Sequence, residues 1–121
     1  MLQLLTNETI SVFGDGNATR SNTYVGDVVQ GILDSITGDR SGETYNICGN
    51  EECSLNTVIA MLENLTNRVA QVNYLPARPG DQAATRGDFS KVSTDFSYLP
   101  RTQLSAGLTE EIRWMKVKDF P

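Results

Sequence analysis

Apolar residues recur along this chain with two different periods. Between Val25 and Ile36 the run VGDVVQGILDSI places Val25, Val28, Val29, Ile32, Leu33 and Ile36 at steps of three, one, three, one and three. Those steps gather side chains on one stripe of a 3.6-residue helix, so a helix is predicted there. Gly38 follows where a left-handed cap would end it. A second stripe, Leu55, Val58, Ile59, Leu62 and Leu65, comes after Ser54, whose hydroxyl suits an N-cap. Two more helices are expected. One starts at Ser90, read as its cap, and runs to about Tyr98, before Pro100. The other starts near Ser105 and turns Leu108, Ile112 and Met115 inward. Phe96, Leu99, Leu108, Ile112 and Trp114 are read as core residues.

The remaining apolar segments are short and β-like. Thr9 to Phe13 reads as a strand, closed by the turn residues Gly14-Asp15-Gly16-Asn17. Thr23-Tyr24-Val25 is a brief extended piece. Glu43 to Cys48 (ETYNIC) reads as a second strand, and RVAQVNYL, with Val69, Val72 and Tyr74, as a third. Pro76 and Pro79 frame an irregular stretch. No repeat or linker interrupts residues 1–121, so one domain is expected. Strands alternating with helices give an α+β class: a small mixed sheet with three to four helices.

Composition narrows the function. Apolar residues make up 39% and charged residues 21%, ordinary for a soluble domain. A net charge of −5 argues against a nucleic-acid groove and against an anionic membrane surface. No apolar run approaches the ~20 residues that span a bilayer. The opening MLQLLTNETI lacks the basic region of a signal peptide, so a cytoplasmic location is expected. The chain has no histidine, which removes Ser-His-Asp and Cys-His nucleophiles and His-based metal sites. No metal site is therefore expected, and no His-dependent catalytic residue. Cys48 and Cys53 frame CGNEEC, not a CxxC pair, and read as free thiols of a reducing compartment. The triplets at Asn7, Asn17 and Asn64 match the glycosylation pattern by chance in an Asn- and Thr-rich chain.

The stretch ISVFGDGNATR invites a dinucleotide-binding reading. That fingerprint needs a third glycine and a helix opening on the loop. Here the series is Gly14, Gly16, then Thr19, and the next helical pattern begins only near Val25. The loop is read instead as a turn leaving a strand.

Taken in order, ISVFGDGNATR, TYVGDVVQGI, GETYNICG, SLNTVIAML, YLPARPGD and GDFSKVSTDFSYLPRTQLSAGLTEEIRW resemble the C-terminal part of the extended short-chain dehydrogenase/reductases. More narrowly, they resemble nucleotide-sugar epimerases and dehydratases of the UDP-glucose and UDP-glucuronate 4-epimerase kind. The resemblance runs from about Thr9 to Met115. It implies a nucleotide-sugar site in which backbone at Ser11 and Phe13 lies against the base. Arg20 and Arg78 would reach the diphosphate, and Asp81 the ribose hydroxyls. The chemistry suits these roles: a guanidinium presents paired donors to a forked anion, and a carboxylate accepts from a vicinal diol. On composition alone Arg20, Arg78 and Asp81 are better read as surface charges, of little energetic weight if paired; the resemblance is what favours ligand contact, more for Arg78 and Asp81 than for Arg20.

The family's NAD loop and its Tyr-x-x-x-Lys pair have no counterpart in this stretch. Four residues after Tyr24, Tyr45, Tyr74 and Tyr98 stand Val28, Gly49, Arg78 and Thr102. No NAD is expected to be bound by the chain itself, although the family uses NAD, and no activity is expected from it alone. Arg20-Ser21-Asn22 stands where the family has Arg-Asp-aromatic, Gly26-Asp27 where it has two acids, and Cys48-Gly49 where it has two glycines. The resemblance also implies that the Val25–Ile36 helix and the TYNIC segment adjoin a cofactor domain. Apolar surface there would serve self-association or a separate NAD-binding polypeptide. Two function classes follow: a UDP-sugar-binding portion of an epimerase or dehydratase, or a non-catalytic interaction domain or half of a split enzyme.

Overall fold

In the computed structural model, residues 1–117 are described. Ten elements follow the chain: α1 (Leu2–Leu5), β1 (Ile10–Phe13), β2 (Thr19–Ser21), α2 (Val25–Ile36), β3 (Glu52–Ser54), α3 (Leu55–Thr66), β4 (Val72–Leu75), β5 (Ala84–Thr85), α4 (Ser90–Phe96) and α5 (Leu104–Val117). The class is α+β, with five helices among the described residues. The strands form two small sheets. β1 and β4 run parallel, with Ile10 opposite Val72 and Phe13 opposite Leu75. β2 lies between antiparallel β3 and parallel β5.

The core gathers where helices cross. Leu4, Leu62, Leu108 and Ile112 form one buried cluster, flanked by Val58, Met61 and Leu104. This joins α1, α3 and α5, so the Leu55–Leu65 stripe meets the inward-facing Leu108 and Ile112 of the C-terminal helix. α1 is a single turn that the periodicity did not show. It is held because Leu4 and Leu5 bury almost completely. A second buried group, Cys48, Val92 and Tyr98, sits under α2 and α4.

Several expectations need correction. Thr23-Tyr24-Val25 is not a strand: β2 falls earlier, and Tyr24 leads into α2 in extended backbone. Glu43–Cys48 forms no ladder, since no neighbouring strand is offered among the described residues. Side chains hold it instead. The Tyr45 hydroxyl donates to Asp95 at 2.8 Å, Lys91 Nζ donates to the Thr44 carbonyl at 3.0 Å, and the Tyr98 hydroxyl donates to the Cys48 carbonyl at 3.2 Å. Gly38 is not a left-handed cap: Thr37 ends α2 in right-handed backbone, and Gly38 lies where a Cβ would overlap the Phe96 ring. Ser90 does not cap α4 but is its first residue: Phe89 stands at the N-cap without a side-chain cap bond, and Asp88, one residue earlier, accepts the Ser90 N–H at 2.9 Å. Hydrogen bonding from the Ser90 hydroxyl, then from its N–H, lowers the Asp88 pKa. Leu99 and Trp114 are more than half exposed, while Tyr98, next to Leu99 in the chain, is buried. Leu55 and Leu65 also stay exposed at the ends of their stripe. Ser54 does cap α3, accepting the Thr57 N–H at 3.1 Å.

Candidate functional site

β1 ends at Phe13, and Gly14 extends its pairing by donating its N–H to the Leu75 carbonyl at 2.9 Å. Beyond β4, Pro76 and Ala77 turn the chain back. Arg78 then lays its guanidinium over the Phe13 ring, 3.4 Å from the centroid. A cation at that distance from an aromatic face is held by the ring quadrupole. The stack leaves the guanidinium edge open. Among the described residues no acceptor takes any of its N–H donors. Gly80, at φ +90°, tightens the next turn, and Asp81 donates its N–H to the Arg78 carbonyl at 3.2 Å. The Asp81 carboxylate has no partner among the described residues. Ser11 lies in the β1 ladder opposite Asn73. Arg20 sits in the other sheet and turns back on its own strand, donating to the Thr19 carbonyl at 2.7 Å. The fold therefore brings Phe13 and Arg78 together and sets Asp81 three residues on. No hydrogen bond or ion pair links Arg20 to either Arg78 or Asp81.

The glycine turn between β1 and β2 is fastened from α3. The Asn56 N–H donates to the Gly16 carbonyl at 3.0 Å. Its carboxamide nitrogen donates to the Asp15 carbonyl at 3.0 Å and to Asn17 Oδ1 at 3.2 Å, and its oxygen accepts the Tyr74 hydroxyl at 3.0 Å. Asp15 accepts from the Asn17 N–H and side-chain amide, bonds that lower its pKa. Gly14 and Gly16 take φ of +81° and +74°, as the turn residues required. Asn56 went unread in the sequence because nothing local ties it to a turn some forty residues earlier.

A cavity of about 620 Å³ opens between the start of α2 and α5, among Tyr24, Val25, Leu104, Leu108, Glu111 and Trp114. A second, of about 300 Å³, lies by Asn50, Arg86 and Asp88 at the start of α4. Neither is lined by Ser11, Phe13, Arg20, Arg78 or Asp81. Cys48 is buried, and burial, followed by the charge of Asp88, pushes its thiol pKa up. A raised pKa disfavours the thiolate and hence nucleophilic chemistry. Among the described residues no three His, Cys, Asp or Glu side chains cluster to hold a metal ion, and no helix is long and apolar enough to cross a membrane. The residues present do not fit a dinucleotide: the glycine turn feeds β2, not a helix N-terminus.

Comparison with known proteins gives a consistent picture. The family model described as GDP-mannose 4,6 dehydratase matches residues 2–111. An uncharacterized UDP-glucose epimerase of Bacillus subtilis is 35% identical over 115 residues, which cover 93% of this chain and 36% of that protein. A UDP-glucuronate 4-epimerase of Thermodesulfobacterium geofontis is 31% identical over 88% of the chain and 33% of its own length. Among solved structures, the UDP-glucuronic acid 4-epimerase of Bacillus cereus, in complex with UDP-glucuronic acid and NAD, superposes with a TM-score of 0.90 at 35% identity, covering 97% of this chain and 38% of that one. The chain thus spans little more than a third of the length of these relatives. With the match running through β1, the glycine turn and α5, the chain belongs to the GDP-mannose 4,6-dehydratase family of NAD-dependent nucleotide-sugar epimerases and dehydratases.

Proposed function

We propose that this chain is the nucleotide-sugar-binding portion of an NAD-dependent epimerase or dehydratase, and that it has no activity alone. The observation that carries the reading is the Arg78–Phe13 stack beside the C-terminal end of the parallel β1–β4 pair. A guanidinium already held flat, with its donors unspent, needs little ordering to grip a forked diphosphate. In this reading the base lies along Ser11 and Phe13, the Asp81 carboxylate accepts from the ribose hydroxyls, and Arg20 swings from the Thr19 carbonyl to the second phosphate. NAD and the acid–base pair would come from outside these residues.

Titration with UDP, UDP-glucose and UDP-glucuronate, followed by amide chemical shifts, tests the assignment. Exposed groups without an enclosing wall predict a Kd of about 1 mM, or roughly 4 kcal/mol. Shifts should concentrate in Ser11–Arg20 and Arg78–Asp81, and Arg78→Ala should abolish them. Unchanged affinity in Arg78→Ala refutes the assigned role. A second reading, a non-catalytic interaction domain, is favoured by the bare apolar face of α2. Absence of shifts at millimolar UDP-sugar would select it.

A further inference from the structure

The described strands lie in two sheets that share no ladder, β1–β4 and β3–β2–β5. Strand pairing therefore does not set how one sheet sits against the other. Asn56 stands where they meet. It is the second residue of α3, and α3 follows β3 without a break, so its backbone belongs with the β3–β2–β5 sheet. Its carboxamide oxygen accepts the Tyr74 hydroxyl at 3.0 Å, and Tyr74 lies in β4 of the other sheet, opposite Val12. Its backbone N–H and its carboxamide nitrogen hold the turn that joins β1 to β2, at the Gly16 carbonyl, the Asp15 carbonyl and Asn17 Oδ1. The side chain thus spends its donors on the turn and its acceptor on β4. An aspartate there would keep the acceptor and lose the donors, and an alanine would lose both.

We infer that Asn56 is a positioning residue: it sets the separation of Arg20 and Arg78, so that one diphosphate is gripped by both. The inference rests on the nucleotide-sugar reading. Arg78 is tied to the β1–β4 sheet by its stack on Phe13. Arg20 rises from the other sheet, opposite Cys53. The direct link between them is the chain from Phe13 to Thr19, and its middle residues, Asp15, Gly16 and Asn17, are the ones that Asn56 bonds. Left-handed glycines at positions 14 and 16 give that link the backbone freedom of a hinge. Asn56 takes the freedom away and adds a tie to β4. The Arg20 side chain still swings to reach its ligand; what Asn56 holds is the strand from which it swings. A diphosphate presents two anionic groups at a fixed spacing. Two arginines grip it together at full strength only if their own spacing is held beforehand, because ordering them on binding subtracts from affinity. A monophosphate engages one guanidinium and is indifferent to that spacing.

Chemical-shift titration of the 121-residue chain with UDP and with UMP tests the assignment. Asn56→Ala should weaken UDP about fivefold and leave UMP within about twofold. A role in stability alone would weaken both nucleotides alike. The UDP loss should vanish when Asn56→Ala is made in an Arg20→Ala chain, since a lone arginine has no spacing to keep. Tyr74→Phe loses only the tie to β4, at a half-exposed position, and carries the same comparison if Asn56→Ala does not fold. A second readout needs no ligand. Residual dipolar couplings of the free chain should report one orientation of β2 against β1 in the wild type and an averaged one in Asn56→Ala. Unchanged UDP affinity, equal losses for UDP and UMP, a loss that persists without Arg20, or unchanged couplings each overturn the inference and leave the nucleotide-sugar reading standing. A wild-type chain silent to UDP overturns that reading, and this inference with it.

Discussion

Replacing Gly16 by alanine should cost far more than the same change at Gly14, although both residues take positive φ in one turn. At Gly14 an added Cβ meets only the Ala77 Cβ at 3.8 Å, an ordinary contact. The cost there is the left-handed backbone alone, about 1–2 kcal/mol. At Gly16 the added Cβ would overlap the Asn56 carboxamide. That side chain must swing away and give up its bonds to Asp15, Asn17 and Tyr74. These groups are partly solvated, so about 0.5 kcal/mol each is appropriate. The sum for Gly16→Ala is then about 3 kcal/mol. In an Asn56→Ala background the obstacle and its bonds are gone, and the cost should fall back to the ~1–2 kcal/mol of backbone strain. Urea denaturation of the four chains of this cycle gives a predicted coupling of about 1.5 kcal/mol, well outside the ~0.5 kcal/mol within which independent sites add. Equal costs in both backgrounds would show that Asn56 does not fix the turn, and the account of why glycine stands at position 16 would fail.

Two further outcomes follow from the structure. Leu62 is 6% exposed in the cluster that joins α1, α3 and α5, so Leu62→Ala should destabilise the chain by about 2–5 kcal/mol; a loss below 1 kcal/mol in urea titration would mean the cluster is not the core. Burial first, then the hydrogen bond to Asp95, pushes the Tyr45 pKa up to about 12, against about 10 in an unfolded chain. A raised pKa means stability that is whole below pH 10 and lost as pH rises from 10 to 12. Tyr45→Phe should make that alkaline fall shallower without removing it, because buried Tyr98 is shifted the same way. An unchanged slope would contradict the assignment.

Helix existence was legible because a 3.6-residue period is a local signal. Val25–Ile36, Leu55–Thr66 and the C-terminal helix stand where their stripes put them. Strand identity was less legible because a strand is completed by its neighbour. ETYNIC has β-forming residues but no paired edge, while Glu52–Ser54, with little β propensity, becomes β3 because β2 lies beside it. Phe89 and Tyr98, nine residues apart, pack edge to face with centroids 6.0 Å apart, which composition cannot foresee. At the candidate site the glycine turn and the Arg78–Asp81 run were visible as motifs. The Arg78–Phe13 stack was not, because it depends on β1 and β4 being parallel neighbours. Arg20 lies in the other sheet, across the glycine turn from Phe13.

Most of the α2 stripe faces away from the rest of the described residues, in keeping with the expectation that this helix adjoins a further domain. Amphipathic period states that a helix has an apolar side; it does not state that this side faces the same chain. What fixes the rotation of α2 is polar: Thr102 bonds Asp27 twice, at 3.0 and 3.1 Å, and Tyr98 occupies the space that a side chain at Gly31 would need. Turning the stripe inward would break both Asp27 bonds and drive Ile32 or Leu33 into that ring. Leaving Val25, Val29, Ile32, Leu33 and Ile36 in water forgoes on the order of 10 kcal/mol at about 25 cal/mol per Å². One aspartate and one glycine thus fix how α2 is rotated against the rest of the described chain.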